Sequence, residues 1–237
     1  MSRYGILLFD ADNTLFDFSA GERAAFRTTA EAEELVWSEP LYRAYSRIND
    51  SLWKKLERGE IAVDLLKIER FRLLLLSLGE PDDERTAQRA ARLRDVYIDA
   101  LSEQAVLIPG AGELCRELAP GYEMYIVTNG ISRIQRRRFA KSGLAPYFRG
   151  MFVSEEIGAQ KPDRAYFDAV FSALGHPERS RVLLIGDSLT SDVDGAVGYG
   201  IDVCRYNPAG LPDEGRTITY TVTNLSGIKD ILNGVTS

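Results

Sequence analysis

The sequence has few of the residues that build disulfide frameworks, zinc sites and histidine-based active sites. It contains two cysteines, Cys115 and Cys204, and one histidine, His176, in 237 residues. Two cysteines so far apart predict neither a disulfide scaffold nor a zinc site, and reduced thiols are typical of a cytoplasmic protein. A mechanism with a histidine base would depend on His176 alone, and His176 lies beside Pro177 in a predicted loop.

Long hydrophobic runs and an excess of positive charge are also missing. The longest leucine run, 73–76, is far shorter than the roughly 18 apolar residues that a membrane-spanning helix needs. Lys and Arg number 29 against 35 Asp and Glu, and the net charge of −6 argues against nucleic acids and membranes as partners. We interpret the arginine run 136–138 as a solvated helix face. An acidic protein that binds an anionic small molecule needs a positively charged patch or a metal ion at its binding site. We expect the protein to be a monomer or a homodimer.

Short β-rich runs alternate with helical stretches at the start of the chain and beyond residue 107. The predicted strands are 6–9, 123–127, 150–153, 181–185, 201–204 and 219–222. The predicted helices between them are 112–118, 132–141, 164–174, 191–199 and 225–232. This alternation predicts an α/β fold, a three-layer Rossmann-like core around a central parallel sheet.

Residues 18–107 interrupt this alternation with helical patterns only. We interpret Ser19 and Glu22 as a capping box that opens the first helix. Further helices are predicted from Pro40 to Leu56, from Asp64 to Leu78 and from about Pro81 to Glu103. The prediction is a four-helix cap domain, 18–107, inserted after the first strand of a catalytic core made of 1–17 and 108–237.

Two carboxylates, Asp10 and Asp12, follow the first predicted strand directly. At about 4 Å and an effective dielectric constant of about 20, two such charges repel by roughly 4 kcal/mol. A cation should therefore lie beside them, or one of the two acids should be protonated. Because this repulsion does not help the fold, the acid pair indicates a catalytic or binding role.

Other reactive groups follow other predicted strands or begin helices. These are Thr128-Asn129-Gly130, Lys161-Pro162, and Gly186-Asp187-Ser188 with Asp192. Each segment alone could be an ordinary turn or helix cap. Because the carboxyl ends of parallel strands share one edge of the sheet, however, we expect these groups to converge. Paired carboxylates, a hydroxyl and an ammonium suit phosphoryl transfer with a carboxylate nucleophile, a second acid and Mg²⁺.

Four segments resemble, in order, the motifs of haloacid dehalogenase-like hydrolases: DADNTLFD, IVTNG, KP at 161–162 and GDSLTSD. The helical insert resembles the C1-type cap of that superfamily. The resemblance implies that Asp10 is the nucleophile and Asp12 the general acid/base. It implies that phosphate is bound by Thr128, Asn129 and Lys161, and Mg²⁺ by Asp10, Asp12 (through its backbone carbonyl), Asp187 and Asp192. An acid at position 12 favours the phosphatase branches.

The predicted cap resembles that of bacterial pyrimidine 5'-nucleotidases in the segments 47–53, 57–61 and 69–71. This resemblance implies nucleoside 5'-monophosphates as substrates, with base contacts from Asn49, Trp53, Arg70 and Phe71. The same four residues could instead be cap core or surface.

The sequence therefore predicts a Mg²⁺-dependent phosphatase of small phosphate monoesters that acts through an aspartyl-phosphate. Two alternatives stay open. One is a phosphoglycolate- or phosphosugar-type phosphatase or mutase of the same superfamily. The other is a non-enzymatic phosphoaspartate signalling module, although such modules are shorter and lack a large insert.

Overall fold

The computed structural model describes residues 3–234, and the chain forms two compact units. One takes the chain up to Phe18 and from Ala105 onward, and we call it the α/β unit. The other, Ser19–Gln104, is the helical unit. Within residues 3–234, no helix is both long and apolar enough to cross a membrane.

A parallel sheet forms the centre of the α/β unit. Within the described residues its strands are β1 (Ile6–Phe9), β2 (Glu123–Thr128), β3 (Gly150–Val153), β4 (Val182–Gly186), β5 (Asp202–Tyr206) and β6 (Tyr220–Val222). The spatial order is β3-β2-β1-β4-β5-β6, and every neighbouring pair is parallel. The predicted α/β fold is therefore confirmed. β1 lies between β2 and β4, so the ends of these three strands are adjacent.

Both faces of the sheet are covered, which explains why its strands are nearly continuous apolar runs. On β1, Leu7 and Phe9 belong to one buried cluster and Leu8 to another, as the two-residue period of a strand requires. The helices of this unit are Ala111–Leu118, Ser132–Lys141, Ser154–Ile157, Arg164–Ala173, Asp194–Tyr199 and Gly227–Leu232. Of these, Ser132–Lys141 is named α5, after the four helices of the helical unit.

The helical unit holds α1 (Phe18–Ala32, which begins one residue before it), α2 (Glu39–Glu57), α3 (Val63–Ser77) and α4 (Glu84–Ser102). Its centre is aromatic: the ring centroids of Tyr45 and Phe26 lie 4.3 Å apart, and those of Phe71 and Tyr97 5.4 Å apart. α4 begins later than predicted because the Asp83 carboxylate accepts a hydrogen bond from the Thr86 N–H at 2.9 Å and caps the helix there.

The interpretation of Ser19 and Glu22 as a capping box is wrong. α1 already begins at Phe18, so Ser19 lies inside the helix. The buried Glu22 carboxylate accepts hydrogen bonds from Asn49 at 2.8 Å and from Tyr42 at 3.2 Å. Glu22 therefore connects α1 to α2 by hydrogen bonds and does not cap the N-terminus of α1.

Candidate active site

Three strand ends place the predicted motif residues along one edge of the sheet. Asp10 directly follows β1, and its N–H donates to the Ile185 carbonyl at 2.8 Å, which continues the pairing with β4. Thr128 is the last residue of β2, and Asp187 directly follows β4. The parallel topology therefore brings residues from distant parts of the chain to one place.

Lys161 lies between two of these carboxylates. Its side chain is 1% exposed, and Nζ donates to Asp10 Oδ1 and to Asp192 Oδ1, both at 2.7 Å. A third bond goes to the Val127 carbonyl at 2.9 Å, so all three ammonium hydrogens have acceptors. Burial lowers the pKa of Lys161, but the two carboxylates more than offset this, and the pKa lies above its ordinary value.

The Asp192 carboxylate is held from both sides. Its Oδ1 accepts from Lys161, and its Oδ2 accepts from the Ser188 N–H at 3.1 Å. Ser188 also caps the short π-helical segment Leu189–Val193 that carries Asp192, since its hydroxyl accepts from the Ser191 N–H. A Cβ at Gly186 would overlap the Asp192 carboxylate, so the glycine makes room for this acid.

Three acids form a group that fits a hard divalent cation. Asp10, Asp187 and Asp192 each offer one carboxylate oxygen, and these oxygens lie within 4.8 Å of one another. Three carboxylates and the Lys161 ammonium sum to a formal charge of −2. Burial, followed by the charge of Asp192, raises the pKa of Asp187 to about 7, and burial raises that of Asp10. Oxygen ligands with uncompensated negative charge are what Mg²⁺ requires.

Asp12 has a different set of partners. Its Oδ1 accepts from Arg138 Nη1 at 2.6 Å, and its Oδ2 accepts from Gln135 Nε2. The Arg138 side chain is fully buried, and its guanidinium lies 4.6 Å from the centre of the Phe16 ring. Each acid of the Asp10/Asp12 pair therefore has its own cation. The interpretation of 136–138 as a solvated face is wrong for Arg138, while Arg136 and Arg137 are exposed.

The Thr128-Asn129-Gly130 segment connects these groups. The Thr128 hydroxyl oxygen accepts hydrogen bonds from the Gly130 N–H and from Gln135 Nε2, both at 3.1 Å. The Asn129 side chain bonds the Lys161 backbone twice, at 2.8 Å each, as donor to its carbonyl and as acceptor from its N–H. Asn129 thus holds the lysine loop, and its predicted contact with phosphate stays a prediction.

Of the four predicted base contacts, Asn49 and Arg70 lie together within the helical unit. Arg70 Nη1 donates to Asn49 Oδ1 at 3.3 Å, and the guanidinium lies 4.4 Å from the centre of the Tyr97 ring. Both side chains are buried, and Arg70 Nε and Nη2 have no hydrogen-bond partner.

The other two predicted base contacts take part in apolar packing. Phe71 is completely buried, and its ring packs against the rings of Tyr45 and Tyr97. Trp53 is half-buried and packs against the cluster of Leu52, Leu56 and Leu66. Their contact with a base, like that of Asn49 and Arg70, stays a prediction.

Sequence reasoning missed Gln135 and Arg138. They are three residues apart on α5, so they share one face of that helix. The available signal was the position of this helix, which follows the reactive end of β2 after a three-residue turn. The run of three arginines, 136–138, instead led to the interpretation of a solvated helix face.

Comparison with known proteins identifies the family to which these strand-end residues belong. Residues 4–200 match the model of the haloacid dehalogenase-like hydrolase family. The chain is 36% identical to the pyrimidine 5'-nucleotidase PynA of Streptococcus pneumoniae, over 97% of this chain and 95% of PynA. It is 32% identical to the pyrimidine 5'-nucleotidase YjjG of Escherichia coli, over 95% of this chain and 96% of YjjG.

A solved structure agrees over the whole length. The magnesium-bound crystal structure of the HAD-hydrolase YfnB from Bacillus subtilis superposes with a TM-score of 0.89, at 38% identity, over 98% of this chain and 99% of YfnB. The strand-end acids, the buried lysine and these relatives lead to one conclusion. The chain belongs to the haloacid dehalogenase-like hydrolase family and is a phosphoric monoester hydrolase.

Proposed function

We propose that this protein is a Mg²⁺-dependent 5'-nucleotidase that hydrolyses nucleoside 5'-monophosphates, with pyrimidine nucleotides preferred, through a phosphorylated Asp10. One observation carries the chemical part of the proposal. Asp10 lies in a cluster with Lys161, Asp187 and Asp192, while Asp12 nearby is held by separate partners. The two acids can therefore take different roles.

In the first step, a carboxylate oxygen of Asp10 attacks phosphorus and the bond from phosphorus to the leaving oxygen breaks. Asp12, in its protonated form, gives its proton to that oxygen, and the nucleoside leaves as an alcohol. In the second step, water attacks the phosphorus of the aspartyl-phosphate while the Asp12 carboxylate takes a proton from it. The acyl-phosphate bond then breaks, which yields inorganic phosphate and restores both acids.

Lys161 and Thr128 are the proposed ligands of the phosphate oxygens. The Thr128 hydroxyl accepts two hydrogen bonds, so its own hydrogen is available for a phosphate oxygen. The proposed Mg²⁺ ligands are Asp10, Asp187, Asp192 and the backbone carbonyl of Asp12. When bound there, Mg²⁺ would supply positive charge that balances the crowded carboxylates and the phosphoryl oxygens.

The substrate preference rests on the relatives and on the helical unit. PynA and YjjG are pyrimidine 5'-nucleotidases that align with nearly the whole chain, including the helices of residues 19–104. We propose that residues 18–107 act as the substrate-selecting cap and that residues such as Asn49 and Arg70 contribute to base selection there. Arg70 carries two buried N–H groups without partners, which suits a role beyond packing.

A phosphate-release screen with Mg²⁺ tests this function. The substrates are pyrimidine and purine nucleoside 5'-monophosphates, phosphoglycolate and phosphosugars, and Asp10→Asn is the blank. We expect the highest kcat/KM with pyrimidine nucleotides and no turnover above background in Asp10→Asn. Turnover in Asp10→Asn at the wild-type rate would refute the nucleophile. A preference for phosphosugars would refute the substrate class and leave the chemistry standing.

A further inference from the structure

We propose that Gln135 and Arg138 are positioning residues for the reaction: together they fix the Asp12 carboxylate, and Gln135 also fixes the Thr128 hydroxyl. The inference rests on the proposed function of Asp12 as general acid/base. It adds to the reaction two residues of α5 that lie outside the four sequence motifs.

The contacts of Gln135 are suited to this role. The side chain is buried, and Nε2 donates to Asp12 Oδ2 and to the Thr128 hydroxyl oxygen. An amide nitrogen has two hydrogens, so these two bonds use its full donor capacity. One planar group therefore sets the distance between the proposed proton-transfer residue and a proposed phosphate ligand.

Arg138 holds the second oxygen of the same carboxylate. Nη1 donates to Asp12 Oδ1 at 2.6 Å, and the fully buried guanidinium stacks on Phe16, four residues after Asp12. Because an arginine at such a site stays charged, the contact is a permanent charge-assisted hydrogen bond. With both carboxylate oxygens held, the Asp12 side chain keeps one orientation.

Gly130 supplies independent support for a built site. A Cβ at this position would overlap the Gln135 carboxamide, so the glycine after Thr128-Asn129 provides the space that Gln135 occupies. The Gly130 N–H also donates to the Thr128 hydroxyl at 3.1 Å. The turn after β2 and the first turn of α5 are therefore fitted to one another around Thr128.

The fixed orientation matters because general acid catalysis depends on distance. Protonation of a leaving oxygen contributes about 10²–10⁴-fold, and a displacement of 1 Å can cost about 10²-fold. A residue that acts through Asp12 should thus affect poor leaving groups strongly and good leaving groups weakly. p-Nitrophenolate departs without a proton, whereas an alkoxide needs one.

The experiment measures kcat/KM, which reports steps up to alcohol release, for a nucleoside 5'-monophosphate and for p-nitrophenyl phosphate. The variants are Arg138→Met and Gln135→Met, which keep much of the side-chain volume, and the control is Arg137→Met, an exposed position on the same helix. For Arg138→Met we expect a loss of about 30–100-fold on the nucleotide and less than about 3-fold on p-nitrophenyl phosphate. Gln135→Met should lower kcat/KM for both substrates, because both use Thr128, but the loss on the nucleotide should be at least about 10-fold larger. Arg138→Lys should recover part of the loss, and the control should behave as wild type.

A second comparison places each variant in the Asp12→Asn background. If Arg138 acts through Asp12, its substitution should cause little further loss there, because residues that act as a unit are not additive. Gln135→Met should keep only the loss that it shows on p-nitrophenyl phosphate, which arises through Thr128. Equal losses on both substrates, or full additivity with Asp12→Asn, would show a structural role and overturn the inference, as would wild-type kinetics. If Arg138→Met does not fold, the ratio of the nucleotide loss to the p-nitrophenyl phosphate loss in Gln135→Met decides. Wild-type turnover in Asp12→Asn itself would instead refute the proposed function.

Discussion

Replacement of Lys161 by methionine removes the ammonium that contacts both Asp10 and Asp192 and leaves their two buried carboxylates facing each other. Their oxygens lie within 4.8 Å, and at an effective dielectric constant of about 20 the repulsion at that distance is about 3 kcal/mol. Removal of one partner from a buried ion pair typically costs about 3–5 kcal/mol. In a protein of this size, each kcal/mol lowers the unfolding midpoint by about 2–4 °C. We therefore expect a midpoint about 10 °C lower in EDTA.

Magnesium should restore part of this loss, because a divalent cation among the same carboxylates replaces the missing positive charge. The rise in midpoint from EDTA to Mg²⁺, followed by circular dichroism, should be larger in Lys161→Met than in the wild type. Phosphate release should be lost in the variant at any Mg²⁺ concentration, since the proposed phosphate ligand is gone.

Lys229→Met is the matched control. Lys229 also contacts a carboxylate, Glu117 Oε2, at 2.7 Å, but on the surface, where solvent screens the pair. We expect little change in its midpoint and none in its activity. If Lys161→Met and Lys229→Met unfolded at the same temperature in EDTA, the cluster would not depend on the ammonium, and the charge argument for the site would fail.

Three further predictions concern other buried groups. Burial raises the pKa of Glu22 to about 7 from an ordinary value of 4.5, so its stabilising contribution is full below pH 4.5 and is lost as the pH rises through 7. In the wild type, this should lower the free energy of unfolding by up to about 3 kcal/mol between pH 4.5 and 8. Glu22→Gln should remove that decrease in a denaturant titration, and a variant with the same pH dependence as the wild type would contradict this. Gly186→Ala should displace the Asp192 carboxylate and raise the Mg²⁺ concentration needed for half-maximal activity at least about 10-fold, since loss of a group that orients a metal ligand typically costs this much. Gly198→Ala, at a glycine with open space around it, is its control. Thr128→Val should lower kcat/KM by about 10–100-fold, while Thr128→Ser stays near wild type; equal values for the two would exclude the hydroxyl as a phosphate ligand.

The positions of the strands could be predicted because the signal is local. A run such as Val182–Ile185 is apolar at every position, as expected for a strand covered on both faces. Helix ends were predicted less well, because they depend on single caps: Asp83 starts α4 later than the proline at position 81 indicated. The role of Glu22 was also missed, since its partner Asn49 lies on another helix.

The sequence by itself determined which motif residues lie at the carboxyl edge of the sheet. A parallel sheet brings every strand end to one edge, so Asp10, Thr128 and Asp187 had to lie along that edge. Their proximity comes from the strand order, which places β1 between β2 and β4. Only the tertiary structure decided how the charges pair. Lys161 is 151 residues from Asp10, and Arg138 is 126 residues from Asp12. Coulomb energy depends on separation in space and on burial, neither of which residue spacing records. The fold therefore gave different partners to two acids that are two positions apart: Asp10 contacts Lys161 in a group of carboxylates, and Asp12 contacts Gln135 and Arg138 of α5.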